Sequence, residues 1–243
     1  MDAGADYGRA LGPQEGDDEV FRLPGWLRWG LACFALFVAA AMAFAIFEPI
    51  QVLPRLRLAP GYSLMAQDGT RATSETARGA VTLYTFATTD CGQECDSIYQ
   101  TMTQVGDRVE RDVDLAGAEF RMVTVALDPV ASADELLVAS EQSGADGKTW
   151  QWLGGDEATI DTVVRSGFRR SVERSEDGSI RSDPGFVLVD GVGVVRGDYR
   201  YQTLAADADK IVSHIEILGE ELRYAGGAGA VAYEAAHLFL CYP

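Results

Sequence analysis

The chain has 243 residues, room for one large domain or two small ones. Its net charge is -17 with only 20 Lys and Arg, which excludes a nucleic-acid binder, because phosphate contacts need clustered basic side chains. The acidic balance serves solubility, with docking of a basic partner such as a basic electron-carrier protein as the alternative.

Residues 1–25 are acidic, rich in Gly and Asp and without apolar periodicity, and are predicted to be a disordered tail. From Trp29 to Phe47 no residue is charged. As a helix this run would reach about 28 Å, close to a bilayer core. Trp26 and Trp29 suit the headgroup level at one end, and Glu48 and Pro49 stop the run at the other. Residues 26–48 are therefore predicted to be a single-pass transmembrane anchor. It should be retained, because no small-residue cleavage signature comes after it. Cys33, near its start, is expected to face lipid or helix. Arg22 and Arg28 nearly balance Arg55 and Arg57, so charge alone leaves the orientation open. The short tail is the easier part to leave in the cytoplasm, with the large domain exported.

Pro49, Pro54 and Pro60 mark a linker, with 49–57 preceding a domain over 58–224. Tyr62–Leu64 and the turn Asp68-Gly69 suggest a hairpin. Ala80–Phe86 is a buried strand, and Cys95, Ile98, Met102 and Val105 come next at helical spacing. Phe120–Leu127 is a second buried strand. Ser132 and Glu135 suggest a capping box on a helix ending near Gly144. Thr149–Leu153 is a short strand, with Trp150 and Trp152 packing in or beside the sheet. Ile160, Val163 and Val164 mark a helix stopped by Gly167. Phe186–Val189 and Val194–Tyr199 are strands joined at Asp190-Gly191. Ile211, Ile215, Leu218 and Leu222 give a last amphipathic helix. Strands alternating with helices imply a parallel α/β core, and the closing hairpin and helix make it thioredoxin-like. Residues 225–243 form a tail, Gly/Ala-rich and then apolar.

Four cysteines, Cys33, Cys91, Cys95 and Cys241, make no disulfide framework, and only Cys91 and Cys95 lie close together. Any of Thr88, Thr89 or Asp90 can cap the next helix. Cys91 would then sit at a helix N-terminus, which favours thiolate, while Asp90 and Glu94 oppose it. Cys95 continues the apolar stripe and should be the more buried. The four-residue spacing puts both sulfurs on one helix face or one loop-to-helix turn. Such a pair can close a disulfide, exchange thiols or bind a soft metal such as Cu(I). An inert structural disulfide, or two thiols that merely pack, also fits the spacing. His214 reads as a half-buried packing residue. His237 has Cys241 at i+4, a metal-capable spacing, in a tail that reads as solvated or partner-facing. No nucleophile elbow, P-loop, zinc-protease helix or acid/base carboxylate pair is present. An enzyme is therefore not indicated beyond thiol–disulfide oxidoreductase activity of the pair.

The anchor, the opening segment APGYSLMAQDGT, the strand leading into CxxxC, and the late segment FVLVDGVGVVRGDYR together resemble the Sco/SenC family over roughly residues 58–222. The resemblance implies a thioredoxin-like fold and copper held by two cysteines and a later histidine. It also implies a role in assembling the binuclear copper site of cytochrome oxidase. Three departures stand out. Gly92 and Asp96 replace the prolines that usually flank the pair, and Ser182 stands where the histidine ligand is usual. Serine cannot replace imidazole for copper, so Cys91 and Cys95 remain as the metal or redox candidates, with no cofactor required and Cu(I) the metal they would take.

Two functions are thereby expected. One is a membrane-anchored accessory or assembly subunit of an electron-transfer complex, of heme–copper oxidase or alternative complex III type, with a degenerate copper site. Its partners would be integral and peripheral subunits of that complex. The other is an active copper chaperone or thiol–disulfide reductant using Cys91 and Cys95 alone.

Overall fold

The computed structural model describes residues 24–47, 51–130, 132–182, 185–200, 207–226 and 233. Residues 1–23 of the predicted N-terminal tail, and the His237 and Cys241 pair, lie outside the described residues. The chain divides into two units, Met1–Pro49 and Ile50–Pro243. In the first, helix α1 spans Gly25–Phe47, with Trp26, Trp29, Phe34 and Phe37 exposed. Cys33 is a free, exposed thiol on it. Among the described residues no helix is long and apolar enough to cross a membrane.

The second unit is built on one eight-stranded sheet. In chain order its strands are β1 (Arg57–Leu58), β2 (Ser63–Ala66), β3 (Arg71–Thr73), β4 (Ala80–Ala87), β5 (Glu119–Ala126) and β6 (Trp150–Gly154). A separate hairpin, β7 (Val172–Arg174) and β8 (Ile180–Ser182), precedes β9 (Gly185–Val189) and β10 (Val194–Arg200). The spatial order is β1-β10-β9-β4-β5-β6-β2-β3. The pairs β4–β5 and β5–β6 are parallel, and every other pair is antiparallel. This is the expected thioredoxin-like arrangement of parallel core and closing hairpin.

The central strands are apolar on both faces, so each side needs a cover. Leu83, Met122 and Leu188 face α2 (Asp96–Asp112), α3 (Ala133–Ser143) and α5 (Ala208–Arg223) in one core. Tyr84, Val123 and Val187 face the other, closed by Ile160, Val163, Val164 and Phe168. The first three come from α4 (Glu157–Ile160) and the wider π-helical turns Asp161–Gly167, and Phe168 ends those turns. Helix α2 buries Ile98, Met102, Val105 and Val109, a stripe at the predicted spacing. Each such side chain contributes about 1.5–3 kcal/mol on leaving water.

Helix α3 begins at Ser132, as predicted, but without the capping box. The Ser132 hydroxyl donates to the Glu135 carboxylate at 3.2 Å, and makes no hydrogen bond to a backbone N–H of the first turn. Its C-terminus is closed as expected by Gly144 at φ 80°, a left-handed position that suits glycine. The hairpin β7–β8 and the short edge strand β1 are additions to the predicted elements, although Asp177-Gly178, with Gly178 at φ 86°, is a turn signal for the hairpin.

Residues read as linker run along the domain. Val52 and Leu53 are buried, and Leu56 N–H donates to the Val195 carbonyl. The anchor of this arrangement is Arg196. It occupies an irregularity in the β9–β10 register between Val195 and Gly197, and such bulges re-aim side chains. Its guanidinium donates to Asp190 at 3.1 Å, Glu221 at 2.6 Å and the carbonyls of Leu53 and Pro54. It thereby joins the incoming chain, the β9–β10 turn and α5. Replacing it removes the cation paired with two carboxylates that are each 11% exposed. Urea unfolding of Arg196→Met should therefore show a loss of roughly 3–5 kcal/mol. The exposed Arg78–Glu75 pair is the control, and Arg78→Met should cost less than about 1 kcal/mol.

Candidate functional site

Parallel strands β4 and β5 end side by side, and Leu127 N–H donates to the Ala87 carbonyl at 2.9 Å. The segments leaving the two strands are therefore brought together. After β4 come Thr88, Thr89, Asp90 and Cys91, and after β5 comes Asp128. Thr89 donates to the Asp128 carboxylate twice, from N–H at 2.8 Å and from Oγ1 at 2.5 Å. The expectation that Thr88, Thr89 or Asp90 caps the helix is not met. The helix opens as a 3-10 turn, Gly92–Cys95, whose first flanking residue is Cys91, with no side-chain cap. Thr89 is already committed to Asp128, which fixes the loop across strands instead of along the helix.

Cys91 and Cys95 are brought together as a disulfide, with Cα atoms 5.7 Å apart. Cys95 is 4% exposed and continues the α2 stripe into the core, whereas Cys91 is half-buried. This is the order of burial expected from the sequence. Gly92 lies at φ 55°. Proline, locked near φ -65°, cannot adopt that angle, so the missing family proline at this position has a conformational counterpart.

Cys91 opens on a cleft of about 440 Å³ lined also by Thr88, Thr89, Asp90, Glu94 and Asp128. The far wall is the β7–β8 turn, through Gly178, Ser179 and Ile180. Ser182 lies at the other end of β8, half-buried and paired with Val172. It is not part of the cleft lining. Tyr99, one turn beyond Cys95, has its pKa pushed up to about 12 by burial, with Asp96 and Asp128 adding to the effect. Its ring packs against Trp150 and Trp152, which lie in β6 as expected.

His214 is not at the site. It is buried on α5, and its Nδ1 shares a 2.6 Å hydrogen bond with the Tyr199 hydroxyl. Burial, with Lys210 adding, lowers its pKa to about 4. It is a packing residue, as its place beside Ile211 and Ile215 predicted. Among the described residues no group of three or more His, Cys, Asp or Glu can hold a metal ion. Among the described residues the sulfur donors at the site are those of Cys91 and Cys95. Reduced, two such sulfurs suit two-coordinate Cu(I). Asp128 and Thr89 were missed in the sequence as a linked pair. The available signal was a carboxylate directly after a buried parallel strand, where such sheets bind ligands.

The model of the SCO1/SenC family matches residues 52–218. No curated protein matches the sequence. Among solved structures, a SCO1/SenC family lipoprotein from Bacillus anthracis str. Ames superposes with a TM-score of 0.58 at 20% identity, over 67% of this chain and 95% of that one. Arabidopsis thaliana ScoI with copper bound gives 0.56 at 18% identity, over 68% and 98%. BsSco gives 0.57 at 21% identity, over 70% and 98%; it is a member of the Sco family of cytochrome c oxidase assembly proteins, with a disulfide switch identified in it. Likeness at these identities establishes the fold.

The lowered pKa of His214 has a consequence for stability. Its folded value lies below the ordinary 6.5, so the unfolded chain takes up its proton first as pH falls. Its contribution is complete above pH 6.5 and is lost as the pH falls towards 4. Urea titrations at pH 7 and 4.5 should differ by on the order of 2 kcal/mol more in the native protein than in His214→Gln, which keeps an acceptor for Tyr199.

Proposed function

The chain belongs to the SCO1/SenC family, and we propose that it is a Sco-type accessory or assembly protein of a membrane electron-transfer complex, of heme–copper oxidase or alternative complex III type. In this reading its Cys91/Cys95 pair is a thiol–disulfide couple that remains where the family's copper site has degenerated. One observation carries this reading: the two cysteines close a disulfide with one sulfur at a cleft and one in the core. The resemblance, which puts Ser182 at the family's histidine position, and the tie of His214 to Tyr199 support it. The link to oxidase assembly is supported by family membership and by BsSco, a cytochrome c oxidase assembly family member.

The geometry orders the chemistry. An incoming thiolate reaches Sγ of Cys91 at the cleft, and not Cys95 at 4% exposure. Cys95 leaves as thiolate, and the mixed disulfide forms on Cys91. After reduction Cys91 sits at the N-terminal end of the 3-10 turn and α2, with Asp90 and Glu94 lining the same cleft. Copper would be cargo on two sulfurs. The family's three-ligand binding is not supported by the side chains present.

An active copper chaperone is the competing reading, and gentle solubilisation of native membranes separates the two. The purified band should carry other membrane subunits and well under one copper per chain. A protein that runs alone with about one copper per chain, lost in Cys91→Ser, would overturn the accessory reading. Helix α1 is proposed as the anchor, with the N-terminus cytoplasmic and the domain on the periplasmic side. Its support is the uncharged run Trp29–Phe47 and the exposed Trp26 and Trp29. The full chain should therefore stay in the membrane pellet through alkaline carbonate washing, and a chain starting at Ile50 should not. Release of the full chain by carbonate would remove the anchor.

A further inference from the structure

The cleft that exposes Cys91 is walled by carboxylates. Asp90 and Glu94 come from the segment carrying the cysteines, and Asp128 comes from the end of β5. Among the described residues lining it there is no lysine or arginine. The partners of Asp128 in Thr89 are neutral donors, so its negative charge is not offset by them. Just outside, in the β7–β8 turn, Asp177 is held below the ordinary carboxylate range by hydrogen bonds from Ser179. Arg174, whose guanidinium donates to the Leu127 carbonyl beside Asp128, is already paired with Asp161 at 2.6 Å. The one reactive atom at the cleft, Cys91 Sγ, is thus approached through negative potential.

The species that attacks a disulfide is itself an anion, a thiolate. Bringing it past several carboxylates costs Coulomb energy that a neighbouring cation on the same partner offsets. We infer that this cleft selects its redox partner by charge, admitting a cysteine carried among basic residues on a partner protein and turning away anionic thiols. The inference rests on the thiol–disulfide reading of the Cys91/Cys95 pair and names its substrate class. The exchange takes two steps. The partner thiolate bonds to Cys91 Sγ, the S–S bond breaks, and its electron pair leaves on Cys95 Sγ, which takes a proton from water. A second partner thiolate then attacks the partner sulfur of the mixed disulfide and releases Cys91, which is protonated in turn. The protein gains two electrons, and the two partner thiols leave joined as a disulfide.

The test uses the full chain in nonionic detergent and three small thiols: cationic cysteamine, neutral mercaptoethanol and anionic mercaptoethanesulfonate. Opening of the disulfide is tracked by alkylation and mass shift. Each rate is divided by that of the same thiol with hydroxyethyl disulfide, which removes intrinsic nucleophilicity. Cysteamine should lead mercaptoethanesulfonate by roughly tenfold at ~10 mM salt, falling towards about twofold at ~0.5 M as screening shortens the field. The exposed pair of changes D90N/E94Q should compress the low-salt ratio. A normalised ratio near one at low salt, or a ratio that the double variant leaves unchanged, overturns the inference and leaves the redox reading standing. If none of the three thiols opens the disulfide in the folded protein, the redox reading itself fails, and the inference with it.

Discussion

Strands β4 and β5 lie in parallel register over eight residue pairs, from Ala80 opposite Glu119 to Ala87 opposite Ala126. The site depends on this pairing. Parallel strands end at the same edge of a sheet, so the segments after them meet in space although far apart in sequence. Here one segment brings Cys91 and the other brings Asp128, and the two hydrogen bonds from Thr89 lock them together. A slip of one residue would turn Leu83, Tyr84 and their neighbours to the opposite face and separate the two segments. The burial of both faces under helices is what makes such a slip costly.

The core also sets the asymmetry between the two sulfurs. Cys95 is held at the top of the apolar stripe of α2, in line with Ile98 and Met102. Cys91 stands one turn earlier, where the chain leaves the sheet and Gly92 reverses it at positive φ. A buried sulfur and an accessible one result from a helix whose first turn straddles the core boundary. The same packing keeps His214 away from the site. Its ring belongs to the contact between α5 and β10, held to Tyr199, and imidazole buried there in neutral form packs as a core side chain.

Electrostatics divides the domain into two kinds of place. Inside, charges are paired. Arg196 is matched by Asp190 and Glu221, and Asp198 lies between Arg57 at 3.0 Å and Arg170 at 2.9 Å. Buried charges demand such partners because desolvation is costly. At the cleft the described lining holds no cation, and its carboxylates stand around an open sulfur. The overall charge of -17 thus has a local expression at the reactive atom.

Much of the architecture was legible in the sequence because it rests on periodicity. The runs Ala80–Phe86 and Phe120–Leu127, the stripe Cys95–Ile98–Met102–Val105 and the turn at Asp190-Gly191 each encode a local geometry, and each formed within a residue or two. The order of burial of Cys91 and Cys95 was legible for the same reason, since only Cys95 falls on the stripe. Features that the sequence could not reveal involve partners distant along the chain. Thr89 is one of three residues whose local use is a helix cap, and Asp128, 39 residues on, claims it. Arg196 gave no sign of holding the incoming segment, because a bulge depends on the neighbouring strand. The residue types near the pair were determined by the sequence. Whether they meet, and that three carboxylates surround the open sulfur, was decided only when the parallel strands aligned their ends.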